Sequence, residues 1–245
     1  MKLFVTGGAG RMGGELLPML AQHGWQIIAP RSTQLDITDE TAVARALELA
    51  QPEVVLHMAA YTDVAQAEQE RDRAWAVNVR GTANLAKHTL GRFVHFSTDY
   101  VFDGERGMYL ETDTPNPANF YSLTKTVGEE AARHARCPLI VRTSFKDSHW
   151  RYPMAFEDQF TSADFTDVIA NEMLNLLNHL GMVDHDLLHV ATERKSVFEL
   201  ARRRTPEVRP GSRLKANVHI PPDVSLDVSR WLALKDRMLN SKPSL

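Results

Sequence analysis

The sequence is poor in exactly the residues that mark several large classes of protein. With a single cysteine, Cys137, it has no means of building an intramolecular disulfide framework or a cysteine zinc cluster, and it suits a reducing compartment. Cys137 itself is expected to be a small buried hydrophobe. No apolar run approaches the roughly 20 residues of a membrane span, and Met1–Val5 leads straight into a glycine cluster, so neither a membrane segment nor a signal-peptide core is expected. A cytoplasmic protein is therefore expected. Charge of either sign is not in excess: 28 Lys and Arg face 31 Asp and Glu, giving a formal net charge of −3. No global positive field is available to collect nucleic acid or an anionic membrane, so recognition must be local. Only 13 glycines and 12 prolines occur in 245 residues, and 43% of the chain is hydrophobic, which excludes disorder and collagen-like structure.

What is present is an alternation of strands and helices. Lys2–Thr6 is a short apolar run that ends at Gly7-Gly8-Ala9-Gly10, after which Met12, Leu16, Leu17 and Leu20 recur at helical spacing. Gln26–Ala29 reads as a strand, and Thr38-Asp39-Glu40 caps a helix that runs to Ala50 and stops at Gln51-Pro52. Val54–Leu56 is a buried strand, Asp72–Leu90 one long helical stretch closed by Gly91, and Phe93–Phe96 another strand. A helix over Phe120–Ala135 and a strand over Leu139–Val141 follow. This rhythm predicts an α/β protein of Rossmann type, a doubly wound parallel sheet with ligands at the strands' carboxyl ends. Residues 1–145 are expected to form the dinucleotide-binding domain. After Arg142 the rhythm breaks into aromatic, polar and proline-interrupted segments, with a helix over Asp167–His179. Residues 146–245 are expected to form a small, shortened substrate lid, interleaved with the first domain.

Three constellations carry chemistry. Gly7, Gly10 and Gly13 stand three apart between a strand and a helix, where absent side chains let the backbone of Gly7 to Gly13, with Arg11 and Met12, approach a pyrophosphate at a helix N-terminus. An NAD site of this kind usually places an acid about 20 positions further on. Here Ala29-Pro30-Arg31-Ser32-Thr33 offers none before Asp36, and Arg31 can pair with a 2′-phosphate, with Arg11 as a second cation. NADP is favoured and NAD stays open. Asp36 either accepts from an adenine amino group or caps its own loop. Tyr121 and Lys125 lie four apart on one helix face, one loop after Ser97-Thr98-Asp99 at the end of a strand. A phenol is a poor proton relay near its free pKa of about 10, and a neighbouring ammonium favours the phenolate.

Taken together, Thr6–Gly13, Asn78, Ser97–Phe102 and Tyr121–Lys125 resemble an extended short-chain dehydrogenase/reductase. His57–Asp63, Ser97–Gly104, Arg142-Thr143-Ser144, Asp158-Gln159-Phe160 and Ser225-Leu226-Asp227 narrow the resemblance to the dTDP-4-dehydrorhamnose reductase group, densely over 1–144 and patchily beyond. The resemblance implies hydride transfer from a nicotinamide to the 4-keto carbon of a deoxysugar on a nucleotide diphosphate. It makes Tyr121 the proton donor, gives Lys125 the nicotinamide ribose, gives Thr98 the keto oxygen, and makes Asn78 a support of the proton relay. Ala59, Ala60 and Tyr61 would join the cofactor site, and Thr62, Asp99, Tyr100 and Phe145 the substrate site. The implied partner is a small nucleotide sugar, with a homodimer as the expected assembly and no metal.

Two departures stand out. Only Phe145–Glu157 separates the Arg-Thr-Ser and Asp-Gln segments, where the family usually carries a helix and a strand. Phe145 also replaces a common tryptophan, which keeps an aromatic surface but loses the indole N–H. The family further contains the regulatory beta subunit of methionine adenosyltransferase, so an NADP-binding, non-catalytic role is the alternative. Two features attract other readings. His185 and His189 stand four apart, as in some zinc helices, but lack further ligands, so a solvated or capping role is expected. The run Arg202-Arg203-Arg204, with Arg209, Arg213 and Lys215, would meet a diphosphate or a partner, or form a solvated face.

Overall fold

A computed structural model describes residues 1–216 and 220–240. Six parallel strands form the centre: β1 (Lys2–Thr6), β2 (Gln26–Ile28), β3 (Val54–His57), β4 (Arg92–Thr98), β5 (Pro138–Thr143) and β6 (Leu187–His189). They lie in the order β6-β5-β4-β3-β1-β2. Successive strand residues point to opposite faces, and both faces are apolar. Leu3, Val5, Leu56, Val94 and Val141 pack with helices α1 (Arg11–Gln22), α5 (Thr166–Asn178) and α6 (Ser229–Asn240). Phe4, Val55, Phe93 and Ile140 pack with α2 (Glu40–Ala50), α3 (Thr82–His88) and α4 (Phe120–Arg133). The sheet is thus doubly wound, as the alternation of elements predicts. Strand order reverses between β1 and β3, and that crevice is where such sheets take ligands.

Residues beyond 146 contribute to both the sheet and its cover. β6, α5 and α6 complete the sheet and one of its helical layers. The rest builds a wall of two-residue and three-residue strands: Phe145–Lys146 with Asp164–Phe165, Met154–Phe156 with Arg209–Gly211, and Phe160–Thr161 with Lys195–Ser196.

Local readings are corrected at four places. The stretch 72–90 is not one helix but Arg71–Trp75, a π-helical turn over Ala76–Gly81, and α3. The wide turn occurs where buried Asn78 spends its side chain on tertiary hydrogen bonds, and a π turn of this kind recurs at functional sites. α2 is capped by Asp39 alone, which accepts from Ala42 N at 3.0 Å. Cys137 is exposed, since it lies in the turn before β5, where Arg92 donates to its sulfur at 3.3 Å. The pair His185 and His189 enters a strand rather than a helix. His189 is buried there, with Nδ1 3.1 Å from the carbonyl of Asp227. Among the described residues no group of three or more His, Cys, Asp or Glu is arranged to hold a metal ion, and no helix is long and apolar enough to cross a membrane.

Candidate active site

The glycine bend connects β1 to α1 at the reversal point of the sheet. Gly7 has φ +74°, and a Cβ there would stand 2.5 Å from the backbone nitrogen of Ala59, so only glycine fits. At Gly13 a Cβ would meet the carbonyl oxygen of Gly8 at 2.1 Å, which would push the helix off the bend. α1 begins after Gly10 with no side-chain cap and no acidic residue in its first turn. Its free N–H groups and positive dipole end therefore stay open to an anion. Ala59, Ala60 and Tyr61 run out of β3 directly beside this bend. Met12 turns its side chain into the core, and Arg31 stands exposed after β2, with only its backbone engaged by Gln34 at 2.8 Å. Asp36 Oδ1 accepts from the backbone and hydroxyl of Thr38 at 2.9 and 2.8 Å, which is the loop-capping alternative. These features fit a phosphorylated dinucleotide: a cradle that a Cβ would fill, an uncapped helix start, and a cation where an acid would repel a 2′-phosphate.

Asn119 caps α4 by accepting from Ser122 N at 2.9 Å, and Glu68 takes Phe120 N at 2.8 Å, so Tyr121 falls in the first turn. Tyr61, Val64, Tyr100 and Phe120 pack around the Tyr121 ring and fix it. Burial raises the Tyr121 phenol above its ordinary range, and the negative charge of Asp99 adds to that, while a hydrogen bond with Thr98 opposes it. The phenol is consequently protonated at neutral pH. Thr98 Oγ1 also lies 3.1 Å from Asp99 Oδ1, and with one proton to donate it serves one neighbour at a time. Asp99 is only 2% exposed, and burial pushes its carboxyl up to about 6, against the opposing effects of Lys146, Thr98 and Ser144.

Lys125 is 3% exposed, and its ammonium donates to the carbonyl of Phe96 at 2.7 Å. Burial lowers it to about 8, and Glu129, a further turn along α4, resists that. Beneath Lys125, His57 is held between Thr6 and Thr82 at 2.7 and 2.9 Å. Burial first, and then the charge of Lys125, lowers His57 to about 3, so the amine sits over neutral imidazole. Asn78 Oδ1 accepts from Tyr61 N at 2.8 Å, and its amide donates to the carbonyl of Tyr61 at 3.1 Å and to Thr124 at 2.9 Å. It clasps the cofactor-side loop to the helix that carries Tyr121 and Lys125.

Glu129, which motif reading missed, joins Ser97 and Arg142, two residues of the quoted motifs, into one part of the site. Glu129 accepts from Arg142 Nε at 2.9 Å and Nη2 at 2.7 Å, and from the Ser97 hydroxyl, with both charged side chains 2% exposed. This buried fork ties β4, β5 and α4 together one residue before Thr98. The available signal was spacing: Tyr121, Lys125 and Glu129 share one face at i, i+4 and i+8.

A cavity of about 910 Å³ opens beside Asp99, Tyr100 and Ser122, and its far side is the wall beyond 145, including Phe145, Trp150, Tyr152 and Gln159. Phe145 and Tyr100 therefore line this cavity together with Asp99. Thr62 is exposed and lies outside the lining. Arg11 is turned toward this wall, pairing with Asp147 at 2.7 Å with its guanidinium over Phe145. The arginine run is not a bare basic field. Arg203 binds Asp164 at 3.0 Å and Arg204 binds Asp167 at 2.7 Å, while Arg213 Nε donates to the backbone carbonyl of Asp158 at 3.1 Å.

A doubly wound sheet with a glycine bend at its reversal point and Thr98, Tyr121 and Lys125 at the end of β4 defines an NAD(P)-dependent oxidoreductase of the extended short-chain type. The chain belongs to the RmlD substrate binding domain family, whose model matches residues 1–149. It is 33% identical over 239 residues to the dTDP-4-dehydrorhamnose reductase of Mycolicibacterium smegmatis, spanning 85% of this chain and 72% of that protein. It is 27% identical to the dTDP-4-dehydrorhamnose reductase of Bacillus anthracis solved in complex with NADP, with a TM-score of 0.82 over 98% of both chains. Methionine adenosyltransferase 2 subunit beta of Bos taurus is 27% identical over 82% of this chain and 61% of its own length.

Proposed function

We propose that the protein reduces the keto group of a 4-keto deoxysugar carried on a nucleoside diphosphate, drawing on NADPH. The observation that carries this reading is the Tyr121 phenol, hydrogen-bonded with Thr98 at the end of β4, next to Asp99 and Tyr100, which line a cavity large enough for a nucleotide sugar. The dinucleotide, when bound, supplies the hydride that goes to the keto carbon. Tyr121 gives its proton to the oxygen as negative charge develops there, and Thr98 donates a hydrogen bond to the same oxygen, so both groups act where the transition state differs from the ground state. Lys125 holds a ribose and offsets the charge left on Tyr121. Asn78, spent on Tyr61 and Thr124, keeps the two walls of the site in register. Arg31 selects the 2′-phosphate.

A panel of 4-keto nucleotide sugars, followed by loss of reduced-nicotinamide absorbance, tests the reading. At least one sugar is expected to be turned over, with NADPH bound about tenfold tighter than NADH, the size of one charge-assisted contact. Equal affinities would remove Arg31 from the cofactor site. The likeness to the adenosyltransferase beta subunit supports a second reading, an NADP-binding regulatory protein. No turnover on any sugar, together with a stable complex between the NADP-loaded protein and another enzyme, would establish that one instead.

A further inference from the structure

The seam between the glycine bend and the cavity wall holds one carboxylate between two guanidinium groups. Asp147 Oδ1 accepts from Arg11 Nη1 at 2.7 Å, and Asp147 Oδ2 lies 3.1 Å from Arg151 Nη2. Arg11 is the first residue of α1, at the end of the glycine bend, Arg151 belongs to the wall, and both line the cavity. The loop between them is anchored at both ends. Lys146 pairs in strand register with Phe165 and takes the Thr166 hydroxyl on its carbonyl at 2.8 Å, while Met154 pairs with Arg209. Arg204 holds the middle through the carbonyl of Ser148 at 3.2 Å. Asp147 is thus carried by a braced loop. Both its oxygens are occupied, and its side chain is 26% exposed against 62% for that of Arg11.

We propose that Asp147 couples the two ligands of the site by competing for Arg11 and Arg151, the cations available to a dinucleotide pyrophosphate and a substrate diphosphate respectively. The substrate half of this inference rests on the reading given under Proposed function. Two cations on one carboxylate leave a single net positive charge at the seam, so each anion that arrives competes with Asp147 for its arginine. When the dinucleotide takes Arg11, Asp147 is left with Arg151 alone and grips it more strongly, so a diphosphate then has to displace a stronger competitor. An exposed pair of this kind adds little to stability, and removing the carboxylate is expected to leave the fold intact.

Asp147→Asn keeps the shape and removes the charge. Calorimetric titration with NADPH is expected to show binding tightened about two- to fivefold, the scale of an exposed ion pair, because Arg11 is freed from its competitor. A purely architectural role for Asp147 predicts unchanged or weaker binding, and either result overturns the proposal. Thymidine diphosphate, titrated with and without saturating NADP, is expected to bind the parent protein several-fold weaker when NADP is present, and Asp147→Asn is expected to abolish that difference. A difference that survives the substitution also overturns the coupling. Should thymidine diphosphate fail to bind the parent protein at all, the sugar-nucleotide reading falls, while the NADPH titration still decides the role of Asp147 toward Arg11.

Discussion

The catalytic floor and the substrate wall of this protein are held together by different physics. The floor is made of β4, β5 and α4: long parallel pairing, a continuous apolar layer on each face, and one fully buried ionic fork of Glu129 with Arg142. The wall is made of three pairs of strands no more than three residues long, joined by cation–carboxylate pairs such as Arg203 with Asp164, and by guanidinium groups laid on rings, as Arg194 over Phe160 at 3.8 Å and Arg204 over Phe165 at 4.0 Å. Chemistry that needs fixed geometry is built on the first kind of structure, and selection among substrates on the second.

The comparison can be broken at specific residues. The largest effect is expected on the floor. Tyr121→Phe should lower kcat about 10²- to 10⁴-fold, the worth of a positioned proton donor, with NADPH affinity nearly unchanged. Turnover that survives would move the proton donor elsewhere. Glu129→Gln should cost about 3–5 kcal/mol in urea unfolding, because it leaves Arg142 charged and unpaired in the core. A loss below about 1 kcal/mol would mean that the fork is no more than a surface-grade pair. Next is pH. Lys125 sits at about 8 in the free protein, below the ordinary lysine range, so it is charged below that pH and neutral above it. If its charge is needed, kcat/KM falls as pH rises through about 8, since this ratio reports the free enzyme. Lys125→Arg should move that limb out of range. The smallest effect belongs to the wall: Arg203→Ala removes a pair whose arginine side chain is 43% exposed, and should cost under about 1 kcal/mol in the same urea assay.

Much of the fold was legible because parallel strands buried on both faces read as unbroken apolar runs, such as Val54–Leu56 and Leu139–Val141. Leu187–His189 was not legible as the sixth strand, because three residues are too few to carry a period. Nor was the break in 72–90. Its residues all tolerate a helix, and the π turn arises from bonds that Asn78 makes to Tyr61 and Thr124. The candidate site was legible wherever its residues follow a local rule: glycines with no room for Cβ, and a tyrosine and lysine one turn apart. It was not legible where partners are distant in sequence, as with Arg11 and Asp147, 136 residues apart.

Sequence alone determined the glycine bend, the alternation that winds the sheet, and the helix face bearing Tyr121, Lys125 and Glu129, because backbone sterics and side-chain periodicity act between near neighbours. Only the tertiary structure decided which charges those side chains feel. Tyr121 is protonated beside Asp99, Lys125 is held on Phe96 near a neutral His57, and Asp147 reaches the bend from the far wall. Burial and Coulomb energy depend on the groups that meet in space, and distance along the chain does not encode them.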